Sequence, residues 1–236
     1  MEKLIIAHRG ASRLARENTL LAFQKAIDIG ADIIELDVRQ TRDGELAVFH
    51  DSKIFGKKIN GISLAEANRL AASQNFTIPI LEQALTLITG KAGLQIEIKD
   101  AGYEFETAEA ALKYLKPENF FIISFNFKTL KKIKSRFPQI NTGLIIGTWH
   151  TWQWQMLKFL LQRQAILTTV DLISINLRLW QAGLAKFIPE RIALTVWNAD
   201  EPEIIKRLLV DKSVTSIASN VPDLAIKIKK QIYGTA

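Results

Sequence analysis

The sequence predicts an α/β fold built as one closed (β/α)8 barrel. Short apolar runs alternate with longer amphipathic ones from end to end. The alternation supplies eight strand–helix units of about 25–30 residues each, the repeat of such a barrel. No Pro/Gly/Ser-rich linker and no low-complexity tract divides the chain. Its 236 residues are enough for one sizeable core and short for two, so residues 1–236 are read as one domain. A doubly wound open sheet is the structural runner-up.

Each element has a local reason. Leu4–Ala7 is a first buried strand that exits at His8-Arg9-Gly10. Thr19–Ile29 carries helical periodicity, with Asn18-Thr19 as its cap and Gly30 closing it. Ile33–Val38 is the second strand, and Leu46–Phe49 extends it through the Asp43-Gly44 turn. Ser52–Ile80 is the least regular segment and is expected to be a short irregular insertion after the second strand, above the barrel. Beyond it, helix Leu81–Thr89 leads to strand Leu94–Ile98 and helix Glu104–Leu115. Strand Phe120–Ser124 precedes helix Lys128–Phe137, which Pro138 stops. Strand Gly143–Ile146 and helix Trp152–Gln162 follow, then strand Leu172–Ile175 and helix Leu177–Phe187. The last units are Ile192–Val196 with Glu201–Leu209, and Ser216–Ala218 with Pro222–Ile232, where Pro222 suits a first helical turn.

Composition removes several function classes. Cysteine is absent, which excludes disulfides, thiolate metal sites and cysteine nucleophiles. No apolar stretch approaches the roughly 20 residues of a membrane span. Met1 to Gly10 has neither a basic leader nor a long apolar run, so a cytoplasmic location is expected. The net charge of +7 favours anionic partners in general. Its clusters, Lys128–Lys134 and Lys227–Lys230, interleave with apolar residues at helical spacing and read as solvated helix faces. No stacking-aromatic module or arginine-rich arm accompanies them, so no nucleic-acid partner is expected.

The chemistry-bearing residues gather at strand ends. In Ile33-Ile34-Glu35-Leu36-Asp37-Val38, alternate side chains share a face, so Ile34, Leu36 and Val38 face the helices while Glu35 and Asp37 point into the barrel. Two inward acids repel and are costly to desolvate unless a cation compensates, and carboxylate oxygens suit a hard ion such as Mg²⁺ or Ca²⁺. Leu94-Gln95-Ile96-Glu97-Ile98-Lys99 repeats the pattern, turning Glu97 and Lys99 inward at the catalytic end of a barrel strand. Glu97 is then a third ligand and Lys99 a phosphate contact; a plain Glu–Lys structural pair is the alternative. His8 and His50, two of three histidines, end strands and suit an acid/base pair across a phosphodiester. Arg9 offers a planar fork for phosphate, and Glu17 reaches the cavity from the first loop or merely precedes a helix. His150, within a tryptophan-rich run, is read as structural.

These motifs together resemble the glycerophosphodiester phosphodiesterase family. The resemblance is carried by His8-Arg9-Gly10, Glu17-Asn18-Thr19, Gly30 to Val38, Thr41-Arg42-Asp43-Gly44, His50-Asp51, Ile78-Pro79-Ile80-Leu81-Glu82 and Glu97-Ile98-Lys99, in order and nearly end to end. It implies a TIM barrel that hydrolyses glycerophosphodiesters to sn-glycerol 3-phosphate and an alcohol. By the same resemblance Glu35, Asp37 and Glu97 hold one divalent ion, Mg²⁺ or Ca²⁺. His8 and His50 are the catalytic acid/base pair. Arg9, Lys99, Glu17, Asp51 and Trp197 lie against substrate, Asp51 also orienting His50.

Three departures touch the pocket wall. The family's seventh strand often reads Trp-Thr-Val-Asn, where this chain has Leu194-Thr195-Val196-Trp197-Asn198. The eighth often ends Thr-Asp before x-Pro-Asp, against Ser219-Asn220-Val221-Pro222-Asp223 here, and Ser52-Lys53-Ile54-Phe55-Gly56 replaces the usual Leu-x-Arg-Thr-Thr run. Trp149 and Trp152, after the fifth strand, are candidates for transient membrane contact. Two further readings stand beside the leading one: a lysophospholipase D working on lysophospholipids at a membrane, and a non-catalytic phosphate-binding barrel.

Overall fold

The computed structural model describes residues 2–147, 166 and 168–234. Eight parallel strands close into a barrel: β1 (Leu4–Ala7), β2 (Ile33–Gln40), β6 (Gly93–Ile98), β7 (Phe120–Ser124), β8 (Asn141–Ile146), β9 (Leu172–Asn176), β10 (Ala193–Trp197) and β11 (Ser216–Ser219). Each pairs in parallel with the next, and β1 joins both β2 and β11, so the sheet has no free parallel edge. Closure excludes the open sheet. β3 (Leu46–Val48) adds antiparallel to the end of β2, as a hairpin through the Asp43-Gly44 turn.

The helices pack outside the barrel. Among the described residues they are α1 (Leu20–Asp28), α3 (Leu81–Ile88), α4 (Glu104–Tyr114), α5 (Phe127–Arg136), α6 (Leu177–Gln181), α7 (Pro202–Val210) and α8 (Pro222–Tyr233). Ile34, Leu36 and Val38 of β2, and Leu94, Ile96 and Ile98 of β6, lie in one buried layer with Phe23 and Ala26 of α1 and Leu85 and Ile88 of α3. The outward faces read from strand alternation are therefore the ones covered by helices. Each such aliphatic side chain contributes about 1.5–3 kcal/mol by burial. Predicted Leu177–Phe187 is not one helix: Gly183, with φ of 84°, ends α6 and a 3-10 turn, Leu184–Phe187, follows.

The barrel interior is divided. One side holds an apolar cluster of Ile123, Ile145 and Leu172, with Phe121, Ala193 and Trp197 against it. Gly143 makes room for it, because a Cβ there would come within 2.7 Å of Leu172 Cδ2 and 2.8 Å of Ile123 Cγ2. The other side is polar, with buried Glu35, Asp37, Gln95 and Glu97.

The insertion is more regular than its sequence reads. Lys53–Ile54 (β4) and Lys57–Lys58 (β5) form a hairpin, and Leu64–Ala72 (α2) is a helix that Ser63 caps by accepting from Glu66 N. Ile54, Ile59, Ile62, Ala67, Ala71 and Ile78 give the segment a small core of its own against Ala47. Its apolar residues are too widely spaced for a long periodic signal, and only packing on β3 gathers them. No helix among the described residues is long and apolar enough to cross a membrane.

Candidate active site

Functional side chains converge where β1, β2 and β6 end. β1 runs into His8, whose N–H donates to Ser219 O at 3.1 Å, so the β1–β11 pairing continues one step and carries His8 to the mouth. Arg9 then turns with φ of 58°, a left-handed conformation unusual for a long side chain. That turn aims its backbone N–H at Glu35 Oε2, 2.8 Å away. Gly10 follows with φ of 81° and lies so close to α1 that a Cβ would sit 2.8 Å from the Ala22 carbonyl carbon. Glycine at this point lets the loop press against the first helix and holds His8-Arg9 in place.

Register places the acids together. Asp37 and Glu97 are direct partners across β2 and β6, and Glu35 pairs with Gln95 one step deeper. Glu35, Asp37 and Glu97 are all buried, and a ligand oxygen from each lies within 4.8 Å of the other two. Asn18 fixes Asp37: its Nδ2 donates to Oδ2 at 2.7 Å, and the Asp37 N–H donates back to Asn18 Oδ1 at 3.2 Å. Arg9 Nε is 3.2 Å from the same Oδ2, while its guanidinium also meets both Glu17 oxygens at 3.0 Å. Lys99 Nζ lies 3.2 Å from Asp37 Oδ1 and 2.6 Å from Glu97 Oε1.

Three carboxylates thus face two fixed cations, and the imbalance shows in their proton affinities. Burial pushes Glu35 well above the usual carboxylate range, and the charges of Asp37 and Glu97 push it the same way. Burial and Asp37 raise Glu97 from 4.5 to about 7, although Lys99 pulls the other way. Burial acts against ionised Asp37 too, but Lys99 and Arg9 outweigh it and hold this carboxyl below its ordinary value. Lys99 is shared between Asp37 Oδ1 and Glu97 Oε1, so one ammonium serves two buried carboxylates. This excess of buried negative charge fits a hard divalent cation.

The histidines flank this cluster. His8 Nε2 is 3.9 Å from Glu35 Oε2, and its Nδ1 meets Asn220 Oδ1 at 2.7 Å. Burial lowers the His8 pKa, and neighbouring Arg9 lowers it further. His50 sits just past β3, its carbonyl accepting from Arg39 Nε at 2.8 Å, and its Nδ1 meets Asp51 Oδ1 at 2.8 Å. His8, Arg9, His50, Glu35, Glu97 and Lys99 line one cavity. Its opposite wall is Ile123, Phe125, Ile145 and Trp197, with the Phe125 and Trp197 rings edge to face at 6.2 Å. Trp197 Nε1 donates to Ser174 O at 3.2 Å, which pins the indole.

Of the described residues singled out from sequence, Asp37, Glu17 and Asp51 do not line this cavity; Asp37 is fully buried. Glu17 braces Arg9 and Asp51 braces His50, both from exposed positions. Trp149, Trp152 and His150 lie outside the described residues. Sequence reasoning gave Asn18 a share in capping α1, but Thr19 caps by accepting from Ala22 N and Asn18 holds Asp37 instead. It missed Phe125, Asn220 and Asp200. Asn220 was visible only as a departure in the eighth strand, and Asp200, in the loop before α7, carries no local signal.

Comparison with known proteins places these features in context. A sequence model of the Glycerophosphoryl diester phosphodiesterase family matches residues 8–224. A glycerophosphodiester phosphodiesterase of Caldanaerobacter subterraneus subsp. tengcongensis is 36% identical over 174 residues, covering 64% of this chain and 71% of that one. One from Bacillus altitudinis is 27% identical over 97% of this chain and 98% of its own. Among solved structures, the glycerophosphodiester phosphodiesterase of Thermotoga maritima superposes with a TM-score of 0.76 at 25% identity, over 97% of this chain and 99% of that one. The phosphodiesterase of Oleispira antarctica, solved with its product sn-glycerol-3-phosphate, shares the fold with a TM-score of 0.77 at 22% identity, over 96% of each chain.

Proposed function

Because the chain belongs to the glycerophosphoryl diester phosphodiesterase family, we propose that it hydrolyses a water-soluble glycerophosphodiester to sn-glycerol 3-phosphate and an alcohol, with residues 1–236 as one catalytic domain. The observation that carries the reading is one cavity in which two histidines, an arginine and a lysine surround a buried three-carboxylate cluster.

Glu35, Asp37 and Glu97 are the residues that would hold a divalent cation, Mg²⁺ or Ca²⁺. When bound, such an ion would supply positive charge for the phosphoryl oxygens and acidity to a nearby nucleophile. Arg9 and Lys99 add fixed charge for the same phosphate, Arg9 with its guanidinium plane braced by Glu17. The nucleophilic oxygen, from water or from the substrate's neighbouring glycerol hydroxyl, gives its proton to His8 Nε2 as it bonds to phosphorus. The bond from phosphorus to the alcohol oxygen breaks, and His50 returns a proton to that oxygen. Where the glycerol hydroxyl attacks, the product of this step is a cyclic phosphate. Water then opens it to sn-glycerol 3-phosphate, giving its proton to His50 while His8 protonates the released glycerol oxygen. This division follows position: the His8 side chain is 14% exposed and lies beside the carboxylates, whereas that of His50 is 32% exposed at the mouth where the alcohol departs. Phe125 and Trp197 give the carbon skeleton an apolar wall.

The test is a glycerol 3-phosphate product assay over glycerophosphocholine, glycerophosphoethanolamine and lysophospholipids, with Mg²⁺, Ca²⁺ or chelator. The expected result is product from the soluble diesters that chelation abolishes and that His8→Ala lacks. Inactivity on every substrate with both metals would bring forward the non-catalytic barrel, and product from lysophospholipids alone the lipid-directed activity.

A further inference from the structure

We propose that Asn220 and Asp200 form a polar relay that sets which nitrogen of His8 is free to accept a proton; both are positioning residues, and the inference rests on His8 being the base proposed above. The contact nearest His8 is an amide, whose two ends are not equivalent: its oxygen accepts and its NH₂ donates. Asp200 decides which end faces which way. Its Oδ2 lies 2.6 Å from Asn220 Nδ2, and an ionised carboxylate only accepts, so the NH₂ points to Asp200. Asn220 Oδ1 is thereby turned to His8 Nδ1 at 2.7 Å, with Ser12 Oγ donating to the same oxygen at 3.3 Å. Nδ1 must then carry the hydrogen, and the Nε2 lone pair is left facing the carboxylate cluster, 3.9 Å from Glu35 Oε2.

The carboxylate is itself held on its other oxygen. Asp200 Oδ1 accepts from the Asn220 backbone N–H at 2.8 Å and from Ser219 Oγ at 3.0 Å. A backbone N–H cannot turn, and this makes the relay directional. An amide introduced by Asp200→Asn must offer its oxygen to that N–H, so its NH₂ points at the Asn220 side chain. Asn220 then flips, presents its own NH₂ to His8 Nδ1, and moves the hydrogen to Nε2. Replacing both residues, Asn220→Asp with Asp200→Asn, reverses donor and acceptor along the chain and returns an acceptor oxygen to His8 Nδ1. A cluster that merely fastened the β11–α8 loop to the β10–α7 loop would predict no such exchange.

The chain has three histidines, so ¹⁵N-histidine labelling gives a readable long-range ¹⁵N–¹H spectrum of the chelated protein, independent of turnover. Wild type should show His8 protonated on Nδ1, Asp200→Asn should show it protonated on Nε2, and the double replacement should restore Nδ1–H. In parallel, Asp200→Asn should lower kcat on the order of 10²-fold or more with KM nearly unchanged, the share usual for a general base. The double replacement should recover most of that loss. Folded Asp200→Asn protein that keeps the Nδ1–H form, or a folded double replacement that fails to regain it, overturns the relay. An inactive wild type instead sinks the proposed reaction, and the spectra separate the two failures.

Discussion

Replacing Glu97 with glutamine should stabilise the chelated protein at alkaline pH while removing its response to Mg²⁺. Burial and the adjacent Asp37 raise the Glu97 pKa from 4.5 to about 7. The folded protein therefore binds this proton more tightly than the unfolded chain does. The stabilisation is complete below pH 4.5 and is lost as pH rises through about 7. At 1.36 kcal/mol for each tenfold change in proton affinity, that interval corresponds to about 3 kcal/mol. Glutamine carries no charge at either pH and escapes the loss. In EDTA at pH 8 the variant should melt higher than wild type by about 6–12 °C, taking 2–4 °C per kcal/mol for a chain of this size. At pH 5 the two should melt together within a few degrees. A thousandfold excess of Mg²⁺ over Kd should reverse the order at pH 8, since at that excess a ligand adds about 4.1 kcal/mol to a protein that binds it. Calorimetric melts at the two pH values, with chelator and with Mg²⁺, give all four comparisons. If Glu97→Gln lowers Tm by the same amount at both pH values in EDTA, Glu97 is a structural partner of Lys99 and the cation argument fails.

Gly10→Ala should cost about 2–3 kcal/mol in urea unfolding, because the left-handed φ and the Ala22 backbone both oppose a Cβ there; it should also depress kcat by displacing His8 and Arg9. His50→Ala should lower kcat on the order of 10²-fold with KM little changed, whereas Asp51→Ala should lower it only about tenfold, as steady-state kinetics would show. Lys99→Met removes the first charge holding Asp37 ionised, so Asp37 should protonate at higher pH. Titration calorimetry should then find that the pH below which Mg²⁺ binding fails has moved upward. Equal pH profiles for Lys99→Met and wild type would remove Lys99 from the electrostatics of the site.

The carboxylate seat is legible in the sequence because strand alternation is strictly local. With a period of two, Ile34, Leu36 and Val38 assign one face to the helices and leave Glu35 and Asp37 for the other, and Glu97 repeats the arrangement. Eight strand–helix units, with one insertion after the second, specify the barrel, and barrel geometry places His8, His50 and Lys99 at the same mouth. The insertion reads as irregular: its short hairpin carries little periodicity, and α2, though amphipathic and capped by Ser63, spans only nine residues whose apolar face is completed by packing with Ile54, Ile59, Ile78 and Ala47. Nor is the partner of His8. Asp200, Asn220 and His8 are far apart in the chain and meet because β1 closes the barrel against β11, bringing the last strand beside the first. Residue type and spacing thus prescribe the fold and the acids, which depend on neighbours two to four positions away. The orientation of the histidine depends on barrel closure, a long-range event that no window of sequence contains.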